Sequence, residues 1–193
     1  MRPSHTLCEG LFTDSTPMQL HVPHYTAPID NAIVTRITRD GRIGEVCMVL
    51  RRPDGRLWCA AKAYYPQHIA RLLTGGIQPD EDPVAALYRE IAEETGLQPR
   101  THQHIFTITY DGIKPFVTYA YVCDVTNDEP QSHDPAEQIQ HFEALTPTQL
   151  RQRASELRAL PAINHPDIGG TWQAWGEFRA HCHDYVGTYL NAI

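Results

Sequence analysis

The stretch GGIQPDEDPVAALYREIAEETGL, residues 75–97, decides the reading of the chain. Asp82 is a good N-cap, and Pro83 sits at the first helical position, where its missing N–H costs nothing. Gly96 is a natural residue just past a helix end. The spacing predicts a helix between these signals. Val84, Leu87, Tyr88, Ile91 and Thr95 fall on one arc at helical spacing, so that side is expected to pack against a core. Glu90, Glu93 and Glu94 stand at i, i+3 and i+4 and share a face beside the arc. Like charges at this spacing repel by roughly 0.2–0.5 kcal/mol per pair. They also crowd the helix end where the dipole disfavours negative charge. No Lys or Arg lies in the last turn, and Arg89 answers one carboxylate, Glu93 at i+4. Carboxylates gathered against their own repulsion suit a small hard cation such as Mg²⁺ or Mn²⁺. The plain alternative is a solvated acidic helix face.

Outward from this stretch, strand patterns dominate. Asn31 to Thr38 is rich in β-branched residues and reads as a strand. Glu45–Arg52 and Arg56–Ala61 are strands joined across Pro53-Asp54-Gly55, a hairpin signal. Ala63 to His68 reads as a loop, and Ile69 to Leu73 as an extended lead into the glycines. Beyond the helix, His102–Tyr110 and Phe116–Val125 read as strands. The second is the longest apolar run and is expected to be buried on both faces. A polar loop covers Asn127 to Ala136, and Ile139–Ala144 is a short strand. Thr146 caps a helix to about Leu157, Leu160 to Gly170 is irregular, and Thr171 caps a last amphipathic helix from Trp172 to about Leu190. Strands on both sides of one central helix predict an α/β sandwich with a mixed sheet between helices. The expected division is an N-terminal arm over 1–28, a main domain over 29–160 and a C-terminal helical extension over 161–193.

The 193 residues are 41% apolar, enough for a real core, and the formal net charge is −7. An acidic chain argues against a nucleic-acid polymer as the main partner. It leaves room for a small phosphorylated substrate, because divalent ions supply positive charge locally. The five cysteines (Cys8, Cys47, Cys59, Cys123 and Cys182) are odd in number and form no CxxC pair. Cys47, Cys59 and Cys123 fall in predicted strands. No apolar run suits a signal peptide or a membrane span. The expectation is a reduced, cytoplasmic protein with free thiols and no membrane partner. His21 and His24 are expected at the surface, since no third metal ligand accompanies them.

Gly75, Glu81, Arg89, Glu90, Ile91, Glu93, Glu94, Gly96 and Leu97 together resemble the signature of the Nudix hydrolases, with every fixed position at the right spacing. The match covers 23 of 193 residues. Families of this kind often carry a glycine where this chain has Thr74. The resemblance implies an α/β/α sandwich with a mixed sheet, to which the C-terminal helix is an addition. It implies metal-dependent hydrolysis of a diphosphate bond in a nucleoside diphosphate linked to another moiety: an ADP-ribose-like compound, a nucleotide-sugar or a nucleoside triphosphate. Divalent ions neutralise and orient the phosphates and acidify a water.

By motif position, Glu90, Glu93 and Glu94 bind Mg²⁺ or Mn²⁺, with a backbone carbonyl near Thr74 or Gly75. Arg89 holds Glu81 or a ligand glutamate in place. Glu137 is the best later candidate for a general base or extra ligand, ahead of Asp128, Glu129 and Asp134. Tyr64 and Tyr65, in a loop just upstream, are candidates to stack a base, whereas Trp58 and Phe116 read better as core. Arg51, Arg52 and Arg71 are candidates to clamp phosphates, although alternation puts only one of Arg51 and Arg52 on a given face. The expected partner is a small nucleotide-derived substrate. The arm and the added helix are compatible with a homodimer. The competing reading is a non-catalytic nucleotide sensor built on the same fold. Such domains usually lose motif carboxylates, and this chain keeps them all.

Overall fold

A computed structural model describes residues 22–191. In chain order the main elements are β1 (His24–Pro28), α1 (Asn31–Ile37), β2 (Gly44–Arg51), β3 (Leu57–Lys62), β4 (Arg71–Gly76), α2 (Pro83–Thr95), β5 (Thr101–Asp111), β6 (Phe116–Asp124), β7 (Ile139–Leu145), α3 (Pro147–Arg158) and α4 (Trp172–Asn191). A two-residue ladder, Asn164–His165 with Gly170–Thr171, precedes α4.

Seven strands form one mixed sheet in the order β1-β5-β6-β2-β4-β3-β7. β1 runs parallel to β5 and β2 to β6, and the other pairings are antiparallel. Period-two alternation in central β2 sorts its side chains into two cores. Val46, Met48 and Leu50 pack with Leu87 and Ile91 of α2. Cys47 and Val49 join the opposite core with Leu150 and Leu157 of α3 and Phe178 and Val186 of α4. The layers are therefore helix, mixed sheet and helices, as the pattern of elements predicted.

The motif helix α2 begins where Asp82 accepts hydrogen bonds from the N–H groups of Val84 (2.8 Å) and Ala85 (3.3 Å). It ends at Gly96, whose φ of 65° is left-handed. Two of its last carbonyls are satisfied from the polar loop: the Gln131 N–H donates to Thr95 (2.9 Å) and the His133 N–H to Glu93 (3.1 Å). The buried arc is narrower than expected. Tyr88 is 41% exposed, because its hydroxyl pairs with His102 Nδ1 at 2.8 Å, and Ala86 takes the inward place.

Asn31 to Thr38 corrects the sequence reading: the segment is helix α1, not a strand. Asp30 accepts from the N–H groups of Ala32 (2.8 Å) and Ile33 (3.4 Å), starting a helix that buries Ile33 and Val34. A cap and one packed face override the weak β preference of the branched residues. Strand β1 lies within the expected arm and joins the sheet beside β5. Cys8 and His21 fall outside the described residues. Cys47, Cys59, Cys123 and Cys182 are buried and unpaired, and burial pushes the Cys59 and Cys123 thiols up to about 12. Among the described residues, no helix is long and apolar enough to cross a membrane.

The added helix α4 is anchored directly to the strand that leads into the motif. His183 is fully buried; its Nδ1–H donates to the Arg179 carbonyl (3.0 Å), leaving Nε2 to accept from the Leu72 N–H (3.2 Å). Burial pushes the imidazole pKa down to about 3, and the charges of Arg71, Arg153 and Arg179 act in the same direction.

Candidate active site

Strand β4 delivers its backbone onto α2. A Cβ on Gly75 would collide with the Cβ, Cγ and Cδ atoms of Glu90, so only glycine allows this approach. Glu90 and Glu94 turn inward and are 7% and 3% exposed. Glu93 sits on the rim with its side chain half exposed. Two of the three helix carboxylates, rather than all three, therefore share the buried face.

Arg89 ties the motif together. Its Nε and Nη2 donate to the two oxygens of Glu81, each at 2.8 Å. Nη1 donates to Glu90 (2.8 Å) and Glu93 (3.0 Å), and Nη2 reaches the Gly76 carbonyl (2.9 Å). The hydrogen bonds from Arg89 hold the Glu81 carboxyl down at about 2. The planar guanidinium presents five N–H groups in fixed directions, against three rotatable ones on an ammonium.

A cleft of about 240 Å³ opens over this junction, and Thr74, Gly75, Glu90, Glu94, Glu137 and Lys62 line one side of it. Burial pushes the Glu94 carboxyl up to about 8, and burial raises Glu90 as well. Burial also acts upward on Glu137, but the Lys62 charge and hydrogen bond outweigh it and hold that carboxyl below its ordinary value. The Lys62 ammonium closes on Glu137, and the charge of Glu137 adds to the rise at Glu94. A buried carboxylate requires a compensating positive charge, and here the Lys62 ammonium provides it for Glu137. This donor chemistry fits a divalent cation held by Glu90 and Glu94, with Glu137 and the carbonyls of Thr74 or Gly75 beside them. Among the described residues, no three acidic, histidine or cysteine side chains already stand in ligand geometry around one point. Glu93 is engaged by Arg89 and Glu137 by Lys62.

Aromatic rings and arginines line much of the rest of the cleft, together with Asp40, Glu45 and Asp167. Tyr64 and Tyr65 line it with Trp175 of α4. Tyr65 is buried, its ring 4.8 Å from that of Trp175, and its hydroxyl accepts from Arg71 Nε (3.1 Å) and Nη2 (2.8 Å). Arg71 also donates to the Leu72 carbonyl and to Thr74 Oγ1. Tyr64 is the more open ring, stacked at 6.1 Å from His165. Arg51 lies elsewhere: its Nε donates to Asp124 at 2.7 Å, across the parallel β2–β6 pair, and it does not line the cleft. Arg52 stacks on Trp58, 4.7 Å from the ring centre. Of the arginines considered from sequence, only Arg71 faces the cleft.

Several cleft residues escaped the sequence reading. Lys62, one of two lysines in the chain, ends β3 just before the tyrosine loop. That position, upstream of the glycines, is the one signal that favoured it. Arg179 reaches from α4 into a buried pair with Glu45 (2.8 and 2.9 Å), and Thr118 donates to the same carboxylate (3.0 Å). Arg36 and Arg42 also face the cleft. Nothing local in the sequence marks Arg36, Arg42 or Arg179, because only the fold brings them together.

Fold and site together define an α/β/α domain whose mixed sheet rests on an acidic motif helix beside a cleft. A family model for the NUDIX domain matches residues 41–163, and the chain belongs to that family. An RNA pyrophosphohydrolase of Stenotrophomonas maltophilia (strain K279a) is 41% identical over 68 residues, which is 33% of this chain and 30% of that protein. One from Xanthomonas campestris pv. campestris (strain B100) matches to the same extent. The match thus spans less than a third of these relatives' length. The NUDIX domain of Shewanella oneidensis NrtR, complexed with ADP ribose, is 18% identical with a TM-score of 0.47, over 57% of this chain and 77% of that one. A C. elegans Ap4A hydrolase in a binary complex is 19% identical with a TM-score of 0.45, over 72% of this chain and 98% of that one.

Proposed function

We propose that the chain is a divalent-metal-dependent pyrophosphohydrolase that cleaves the diphosphate bond of a nucleoside diphosphate linked to another moiety. The observation that carries this reading is that Glu90, packed on Gly75, lines one cleft with Glu94 and Glu137, and that arginines and aromatic rings line the same cleft. A diphosphate repels an incoming nucleophile, and Mg²⁺ or Mn²⁺ supplies the charge neutralisation that such a bond requires. Glu90 and Glu94 hold that charge, and Glu93 adds a carboxylate from the rim. Arg89 keeps Glu90 and Glu81 in register with β4. Glu137, kept ionised by Lys62, is the base that takes a proton from the attacking water. Tyr64 offers a ring to a nucleobase, and Arg71 sets a fixed positive charge behind the phosphates.

The test is a substrate panel with Mg²⁺ or Mn²⁺: ADP-ribose, nucleotide-sugars, nucleoside triphosphates and, because the curated relatives are RNA pyrophosphohydrolases, a triphosphorylated RNA. The expected result is phosphate-bond cleavage of a small member of the panel, which Glu94→Gln lowers by about 10²–10³-fold. Tight binding of one member with no cleavage in either protein supports the sensor reading instead.

A further inference from the structure

The cleft continues past the carboxylates to a wall built by segments on either side of the family-matched region. Arg36 comes from α1 and Arg179 from α4, and residues 41–163 include neither. Arg179 is 9% exposed and commits Nη1 to Glu45. Its Nε is buried with no hydrogen-bond partner, and the same is true of Arg36 Nε. A buried guanidinium N–H left unpaired is costly, and few such groups survive without a reason. Arg42 completes the wall. Its guanidinium packs where a Cβ on Gly76 would stand. Gly76 pairs with Glu45 across the sheet, so Arg42 lies on the face from which Arg179 approaches.

The acids on this wall answer one of the three arginines, since Glu45 pairs with Arg179. Glu45 is already shared between Arg179 and Thr118. The partner of Asp167 is His165, at 3.6 Å. Among the described residues, no ion pair joins Arg36 or Arg42 to Asp40 or to any other carboxylate. Guanidinium groups from α1, from the loop that follows it and from α4 thus line the same cleft as Gly75 and Glu90.

We propose that Arg36, Arg42 and Arg179 form a subsite for a phosphoryl group that the substrate carries beyond the diphosphate that is cleaved. A tetrahedral phosphoryl group presents up to three acceptor oxygens, which suits three forks approaching from different directions. A neutral sugar offers these groups no charge. In naming a substrate, this inference rests on the hydrolase reading above: it selects polyphosphorylated nucleotides, such as nucleoside triphosphates, over nucleoside diphosphates linked to an uncharged sugar. The phosphate-binding wall itself stands independently of catalysis.

The decisive experiment is calorimetric titration of inorganic tripolyphosphate into the full chain with EDTA present, so that no divalent ion bridges protein and phosphate. Saturable binding is expected, weakened by about tenfold in Arg36→Gln and in Arg42→Gln. Arg56→Gln removes the same charge from a turn, where Arg56 pairs with Asp54, and is expected to bind as the wild type does. Arg179 is left intact because it belongs to a buried ion pair. The same Arg36 and Arg42 variants are then assayed with Mg²⁺ for the ratio of kcat/KM on a nucleoside triphosphate to that on ADP-ribose, which is expected to fall. Unchanged tripolyphosphate binding in both variants overturns the subsite, as does an equal loss in Arg56→Gln. Arginine-dependent binding with no hydrolysis of any substrate leaves the subsite standing and removes the hydrolase reading instead.

Discussion

Two arginine–glutamate assemblies border the cleft, and the chain makes them in opposite ways. Arg89 gathers Glu81, Glu90 and Glu93 from no more than eight residues away, at a partly exposed helix end. Arg179 meets Glu45 from 134 residues away, with both side chains buried. The first is a local device: one guanidinium relieves the repulsion that the motif spacing creates and fixes its carboxylates in place. The second exists only after the sheet and α4 have docked, and it fixes α4 to the far wall of the cleft. The motif carboxylates and the opposite wall are thus built by different parts of the chain.

Breaking each assembly in turn separates these roles. The largest effect on stability is expected at the long-range pair. Glu45→Gln leaves Arg179 buried without its counter-charge, a change that costs about 3–5 kcal/mol in such settings, readable as a lower denaturant midpoint. Next, Gly75→Ala forces a methyl group into Glu90. The expected overpacking cost is about 1–3 kcal/mol, accompanied by loss of hydrolysis because the carboxylate is displaced. Arg89→Lys keeps the charge but loses the fork, so the apparent Mg²⁺ affinity is expected to fall by about 10–100-fold with a smaller change in thermal midpoint. A loss of stability with unchanged metal affinity would make Arg89 a purely structural residue.

The smallest effect is a slope with pH. The folded-state pKa of His183 is depressed to about 3 from an ordinary 6.5. Its contribution to stability is therefore fully present above about 6.5 and is lost as pH falls towards 3. Glu81, depressed to about 2 from 4.5 by Arg89, has the same sign but acts only at lower pH. Between 6.5 and 4.5 the wild type is expected to lose thermal stability more steeply than His183→Gln. Parallel curves for the two proteins would remove His183 as the anchor between α4 and β4.

The same contrast explains what was legible in the sequence. Asp82, Pro83 and Gly96 mark the ends of α2 by local chemistry, and the alternation in β2 needs only its own residues. Both could be read directly. The helix at Asn31 to Ile37 was missed because its β-branched composition speaks for a strand. The cap at Asp30 and the burial of Ile33 and Val34 decide otherwise. Arg51 and Arg71 look alike in sequence, yet Asp124 on the neighbouring parallel strand takes Arg51 away, whereas Tyr65 and Thr74 hold Arg71 at the cleft. Glu137 stood out as an acid after a polar loop. Its partner Lys62 did not, since their meeting depends on the pairing of β3 with β7. Arg179 comes to line the same cleft as Arg36 and Arg42 only through tertiary packing, so no window of sequence contains all three.

The central claim is that Glu90 and Glu94 hold a divalent cation for cleavage of a diphosphate. Mn²⁺ titration followed by electron paramagnetic resonance tests it most directly, on the wild type and on Glu94→Gln, with hydrolysis of the best panel substrate measured on the same samples. The prediction is saturable Mn²⁺ binding by the wild type, weakened at least about tenfold in Glu94→Gln together with loss of turnover. Equal Mn²⁺ affinity and equal turnover in the two proteins would contradict it.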